Sequence, residues 1–387
     1  MRRMLAALFL FVLLPLASPA RAQSDGRTIA KQAIMLDYDT GVVLLEKNAD
    51  QRMTPSSMSK EMTMYLVFDA LQSGKLTLNQ TLPVSERAWR MQKASADASV
   101  MFEKLGSQVK VEDLVRGVII QSGNDAAITL AEGLGGTEDN FALMMNKKAA
   151  ELGMKSSHFM NASGWPDPNH YSTARDLATL ALHQIHDFPK YYHYYSEMDF
   201  TYNNIKQGNR NPLLYKGIGG DGLKTGHTED GGYGLMGSGK LGDRRVVFVV
   251  NGLDSMQARA DEGARLLEWG LKTFENVRVF KANDTVDHVP VVLGRSQQVS
   301  LTVEKGVLVT LPLAAKDELK VTVIYDSPLV APVTKGQKIG TLHIEAPHMA
   351  AIDEPLVAGA DVEKLGFFRM ALAKAKLLLA GKHAAGA

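Results

Sequence analysis

Between Gly217 and Leu253 the chain reads GIGGDGLKTGHTEDGGYGLMGSGKLGDRRVVFVVNGL. Glycine and aspartate cut this stretch into short β-favouring runs, and each cut is turn chemistry. Three antiparallel strands are predicted, one near Leu223, one over 233–236 and one over 244–250. Directly after them MQARADEGARLLEWGLKTF is apolar at helical spacing. Near the other end of the chain AIMLDYDTGVVLLEKN, 33–48, is two apolar runs around Asp39-Thr40-Gly41, the pattern of a β-hairpin. Helices are predicted between these strand groups: about 57–71, then 111–120, another from AAITLAEGLGG, and 172–182 with Ser172 or Thr173 as its cap. A hairpin, a helical middle, three strands and a closing helix suggest one antiparallel sheet with helices packed on it and a helical lobe inserted, an α+β arrangement.

The 387 residues suffice for two domains. From about Val277 the runs VPVVLG, VSLTVEKGVLVTLP, LKVTVIYD and IGTLHIE are short strands bounded by turns and read as a separate small all-β domain, a small sandwich being one form it could take. The last segment, DVEKLGFFRMALAKAKLLLAGKHAAGA, places Phe367, Phe368, Leu372 and Leu379 on one arc of a helical wheel with Arg369 and Lys376 at its edge. Such a helix could pack on its own β domain, but an amphipathic, cationic end fits an interfacial anchor on a membrane surface better. The first residues, MRRMLAALFLFVLLPLASPARAQ, have two arginines, an apolar run too short to span a bilayer and an Ala20-Arg21-Ala22 cleavage pattern. The expected division is an export signal over 1–22, a catalytic domain over 23–276, a β-rich domain over 277–354 and an anchor over 355–387. The absence of cysteine excludes thiol catalysis and thiolate metal sites, and a net charge of +1 gives no bulk field for nucleic acid.

Ser57 and Lys60 lie three apart at a predicted helix start, where i and i+3 share a face. A serine hydroxyl becomes a nucleophile when a base takes its proton, and a lysine with a lowered pKa is such a base. The pattern alone is weak, since Ser107 and Lys110 repeat it ahead of another helix. Ser56 and Ser59 have no lysine three residues on. Two further groups carry weight. Ser122-Gly123-Asn124 falls between two helices, where a hydroxyl and an amide can face a cleft. Lys224-Thr225-Gly226 falls on a predicted strand, offering a charge, a hydroxyl and a residue that lets a substrate backbone lie close. His183 and His186 are a helical i, i+3 pair without a third metal ligand, and His193 sits among tyrosines as surface packing.

S-x-x-K, then S-x-N, then K-T-G resembles the signature set of penicillin-binding proteins and serine β-lactamases. PSSMSKEMT, QSGNDAAITLAE, HYSTARDLATLA, NRNPLLY and DGLKTGHTEDGGY narrow the resemblance to low-molecular-mass D-alanyl-D-alanine carboxypeptidases, over about residues 30–275. The resemblance implies a transpeptidase-like fold, no cofactor, peptidoglycan pentapeptide stems and β-lactams as partners, and a periplasmic site on the outer face of the cytoplasmic membrane. It implies that Ser57 attacks the penultimate D-alanine carbonyl, that Lys60 is its base, and that Ser122 and Asn124 line the cleft. Lys224 would hold Ser122 and the substrate carboxylate, and Thr225 would bind that carboxylate. The N–H groups of Ser57 and His227 would form the oxyanion hole. Arg259 would help bind the carboxylate, although an exposed helix cation is nearly as good a reading. Ser163 stands where several relatives carry histidine. An endopeptidase would use the same residues. A β-lactamase would need a glutamate for deacylation, and no motif here supplies one. A non-catalytic wall-binding protein would be expected to have lost Ser57, Lys60 or Lys224.

Overall fold

The computed structural model describes residues 28–94 and 98–373. The predicted export signal and residues 374–387 of the predicted anchor lie outside the described residues. The chain divides into two compact units, one ending at Val277 and one running on from Arg278.

The first unit is built on a five-stranded antiparallel sheet. Its strands are β1 (Gln32–Asp37), β2 (Val43–Lys47), β3 (Gly220–Thr228), β4 (Gly232–Leu241) and β5 (Arg244–Leu253), in the order β2-β1-β5-β4-β3. The hairpin and the three glycine-bounded strands predicted from sequence form this one sheet. Alternation sets its two faces. Ala33, Met35, Val246, Phe248 and Val250 pack on one side with Leu266, Leu267 and Leu271 of the closing helix Met256–Thr273. Ile34, Leu36, Val247 and Val249 pack on the other side with the helical lobe. That lobe comprises α1 (Lys60–Gln72), α2 (Val111–Ile119), α3 (Asn124–Gly135), α4 (Glu138–Glu151) and α5 (Ala174–Asp187), so the closing helix is α6.

The helix α1 is apolar nearly all round, and such a helix has to be central. Met62, Met64, Val67 and Phe68 are wholly buried, and Tyr65 and Leu66 nearly so. The α-helix starts at Lys60, not near Ser57; Ser56–Ser59 form a tight 3₁₀ turn. Thr173, the second of the two expected caps, accepts from the Asp176 N–H and starts α5.

The second unit contains a six-stranded sheet in the order 320–325, 338–345, 352–358, 298–303, 285–292, 329–330. Leu301, Leu342, Ile344 and Leu356 are buried in it. Its last long strand, Ile352–Ala358, runs past the expected boundary at 354, and Val362 bridges to Val333. The residues just after 354 therefore continue the β unit and are not an anchor. PLVA is a β-run too short to be separated from the apolar tail by periodicity alone. A helical segment begins at Phe367, with Phe367 and Phe368 more than four-fifths exposed. Among the described residues no helix is long and apolar enough to cross a membrane.

Candidate active site

Three chain segments carry the predicted site residues; the 3₁₀ turn packs on the edge strand β3, and Lys60, just after the turn, bonds to Asn124. The 3₁₀ turn brings Ser57, the α2–α3 junction brings Ser122 and Asn124, and β3 brings Lys224 to His227. Of the three serines in the turn only Ser57 is not fully buried. Ser56 has a left-handed backbone (φ +51°), and its Oγ lies 3.0 Å from Thr228 Oγ1. Ser59 points away from Ser57 and lies 2.8 Å from His170 Nε2. The Met160 N–H donates to His170 Nδ1, so Nε2 carries the proton and donates to Ser59. Burial pulls the His170 pKa down to about 4 and keeps that ring neutral.

Lys60 is the centre of the geometry. It is wholly buried, and its Nζ has three partners: Ser57 Oγ at 2.8 Å, Asn124 Oδ1 at 2.7 Å and the Ser163 carbonyl at 2.6 Å. Two of these are pure acceptors. A neutral amine has two N–H groups and one lone pair. An ammonium would donate to all three; a neutral amine with its two N–H groups on Asn124 and Ser163 would turn its lone pair to the Ser57 hydroxyl. Burial, then the positive charges of Lys224 and Arg210, hold the Lys60 pKa well below its ordinary value.

Ser122 has φ +65° and is buried, a strained backbone of the kind that clusters at functional sites. The next residue must be small. A Cβ on Gly123 would lie 3.0 Å from Asp125 Oδ1 and 3.2 Å from the Gly117 carbonyl.

Lys224 is also buried, and burial followed by the Arg210 charge brings its pKa down to about 7. Its Nζ donates to the Thr225 carbonyl at 3.1 Å. It makes no hydrogen bond to Ser122, which the resemblance has it hold electrostatically. Thr225 is buried and His227 is exposed, stacked on Tyr233 at 3.9 Å between centroids. Gly226 is also needed within the fold. A Cβ there would lie 3.0 Å from the Pro55 carbonyl and 3.2 Å from Ser56 Cβ, so the nucleophile turn itself sits against the strand.

Arg259 is not an exposed cation. It is 7% exposed on α6, its Nη1 reaches the Gly226 carbonyl at 3.4 Å, and its Nε is buried without a partner. Burial lowers its pKa to about 10. The second S-x-x-K copy has no such setting. Gln108–Lys110 is a short strand, where alternate residues face opposite ways, and Lys110 is exposed. Sequence reasoning did not identify the Ser163 carbonyl as a partner of Lys60, because a backbone acceptor has no residue signature. His183 and His186 both pair with Asp187 on the surface of α5, and His193 stacks on Tyr194. Among the described residues no group of three His, Asp or Glu side chains could hold a metal.

Gly164 carries the most exacting steric demand. It has φ +74°, and a Cβ would fall 1.9 Å from the Ser56 carbonyl oxygen. Gly164→Ala is expected to cost about 3 kcal/mol or more and to slow acylation by moving the turn. Gly136→Ala, at φ +76° with nothing near, should cost only about 1–2 kcal/mol. Urea midpoints of the two variants check the contrast.

The model of the family described as D-alanyl-D-alanine carboxypeptidase matches residues 19–255, and that of the penicillin-binding protein 5 C-terminal domain matches residues 274–364. The chain is 39% identical to the D-alanyl-D-alanine carboxypeptidase DacC of Escherichia coli, covering 93% of this chain and 91% of that protein. It superposes on penicillin-binding protein 5 from Haemophilus influenzae with a TM-score of 0.78 at 38% identity, covering 87% of this chain and 98% of that one. It also matches penicillin-binding protein D2 from Listeria monocytogenes in its cefotaxime-bound form, with a TM-score of 0.56 and 31% identity over 62% of this chain and 96% of that one.

Proposed function

Because the chain belongs to the D-alanyl-D-alanine carboxypeptidase family, serine hydrolases that bind penicillin, we propose that it removes the terminal D-alanine of peptidoglycan stem pentapeptides through an acyl-enzyme on Ser57. The observation that carries this reading is the three-partner setting of Lys60 Nζ, which holds a buried amine 2.8 Å from the Ser57 hydroxyl while two carbonyl acceptors fix its other bonds. As Ser57 Oγ attacks the carbonyl of the penultimate D-alanine, Lys60 takes the proton. The oxyanion is held by the N–H groups of Ser57 and His227. Ser122 passes a proton to the departing amine, and Asn124 keeps Lys60 in place. Water then hydrolyses the ester. A β-lactam acylates the same serine.

The substrate lies along the free edge of β3, pairing its backbone as an added strand. Its terminal carboxylate meets Lys224, Thr225 and Arg259. The unsatisfied Nε and lowered pKa of Arg259 suit a guanidinium that awaits an anion. The enzyme acts in the periplasm, attached to the outer face of the cytoplasmic membrane by its C-terminal segment. Exposed Phe367, Phe368 and Leu372 at the start of that segment support the attachment.

The test offers the purified protein a stem pentapeptide ending in D-Ala-D-Ala and a crosslinked peptide dimer. D-Alanine should leave the first while the dimer stays whole. Cleavage of the dimer at an equal or greater rate would make the protein an endopeptidase instead.

A further inference from the structure

The start of α1 buries a second ionisable group that the reaction above does not use. Glu61 follows the base directly and is wholly buried. Its Oε2 accepts from the Tyr195 hydroxyl at 2.8 Å, and that hydroxyl accepts from Gln184 Nε2 at 2.9 Å. Its Oε1 is buried with no partner at all. A carboxylate oxygen left unpaired in a protein interior is costly unless a positive charge lies close by.

The facing strand carries a cation, Lys224, whose charge reaches Glu61 from beyond ion-pair distance. Gly226 packs on Pro55, Ser56 and Met58, and Lys224, two residues earlier on β3, shares its face of the strand. Glu61 is three residues from Met58 and four from Ser57, on the side of the helix start that meets β3. Lys224 is an ammonium with three donors, and one of them bonds to the Thr225 carbonyl.

We propose that Glu61 is a positioning residue, the buried counter-charge that keeps Lys224 protonated for the substrate carboxylate. It acts through Lys224 and touches no reacting atom. The inference rests on the carboxylate-binding role given to Lys224 above. The groups around the pair are few. Lys60 adjoins Glu61 in sequence, the Tyr195 hydroxyl faces it from residues 192–196, and the uncharged Gln184 stands behind from α5. Lys224 feels the cations of Arg210 and Arg259, and the Glu61 carboxylate opposes them. Both partners titrate near neutrality, Lys224 at about 7 and Glu61, raised chiefly by burial, also at about 7.

The sign follows. Below pH 7 Glu61 is neutral and Lys224 is protonated without help. Above pH 7 the carboxylate is charged and raises the fraction of Lys224 that keeps its proton. An opposite charge close by shifts a pKa by about 1–3 units. In Glu61→Gln the alkaline limb of kcat/KM for a D-Ala-D-Ala peptide should therefore move about one unit toward acid. At pH 8.5 kcat/KM should fall about tenfold, and at pH 6 it should agree with the wild type within about twofold. Tyr195→Phe removes a bond to the charged carboxylate, raises the Glu61 pKa and should shift the limb the same way by less. It carries the test if Glu61→Gln fails to fold.

A loss of equal size at every pH, or no loss, overturns the inference, since a packing defect has no reason to follow pH. Lys224→Ala separates the two layers. If Lys224→Ala leaves kcat/KM unchanged, the reading of Lys224 itself has failed. If it abolishes activity while neither other variant moves the limb, only the role of Glu61 has failed.

Discussion

Ser57→Ala should lower D-alanine release from a D-Ala-D-Ala peptide by about 10⁶-fold, the loss that follows removal of a serine nucleophile working as a unit with its base. The hydroxyl lies 2.8 Å from Lys60 Nζ at a partly open position in the turn. The change deletes one oxygen and leaves the turn, the Lys60 bonds to Asn124 and Ser163, and the β3 contacts intact. The thermal midpoint should therefore move little while turnover collapses. Ser56→Ala and Ser59→Ala are the informative companions. Ser56 is tied to Thr228 and Ser59 to His170, so their loss should lower stability by about 1 kcal/mol each and leave a nucleophile in place. Retention of turnover in Ser57→Ala, checked by D-alanine assay under saturating peptide, would remove Ser57 from the reaction.

Lys60→Met should also lower turnover, by about 10²–10⁴-fold or more, because an unassisted serine hydroxyl is a poor nucleophile. General-base assistance alone contributes about 10²–10⁴-fold, and the double variant Ser57→Ala/Lys60→Met should be no worse than Ser57→Ala. Lys60→Arg tests the proton rather than the shape: a guanidinium keeps the charge and cannot act as a base at working pH, so it too should be inactive. Lys60 also leaves a signature in stability. Its folded-state pKa is held below its ordinary value of 10.5. Between the two values the unfolded chain binds a proton that the folded protein does not, so stability rises with pH across that interval. Urea midpoints of the wild type should climb with pH there, and those of Lys60→Met should climb less. Equal slopes would mean that Lys60 is protonated in the folded protein at neutral pH and is not poised as a base.

Much of this architecture was legible in the residues. The glycine-bounded runs of 217–253 and the hairpin of 33–48 carry their own turns, and the pleat then assigns each side chain to a face of the sheet. The three motifs were legible because each pairs chemistry with a local setting: a helix start, a helix junction and a strand. Other features depend on what the fold brings alongside. Gly226 and Gly164 look like flexible or substrate-facing glycines until the nucleophile turn is seen to lie against both. Arg259 has a helical context that fits solvent as well as interior, and only the packing of α6 beneath the sheet buries it. The end of the β unit was misplaced at 354 because a four-residue apolar run is ambiguous. Glu61 had no motif at all, since a charged residue at the first turn of a helix is ordinarily a favourable end charge facing water.

Treatment with benzylpenicillin, followed by intact mass and peptide mapping, tests the central assignment most directly. One penicilloyl group per chain is predicted, on the peptide that carries Ser57 and on no other. An adduct on Ser122 or Ser107, or an unmodified protein after prolonged incubation, would contradict it.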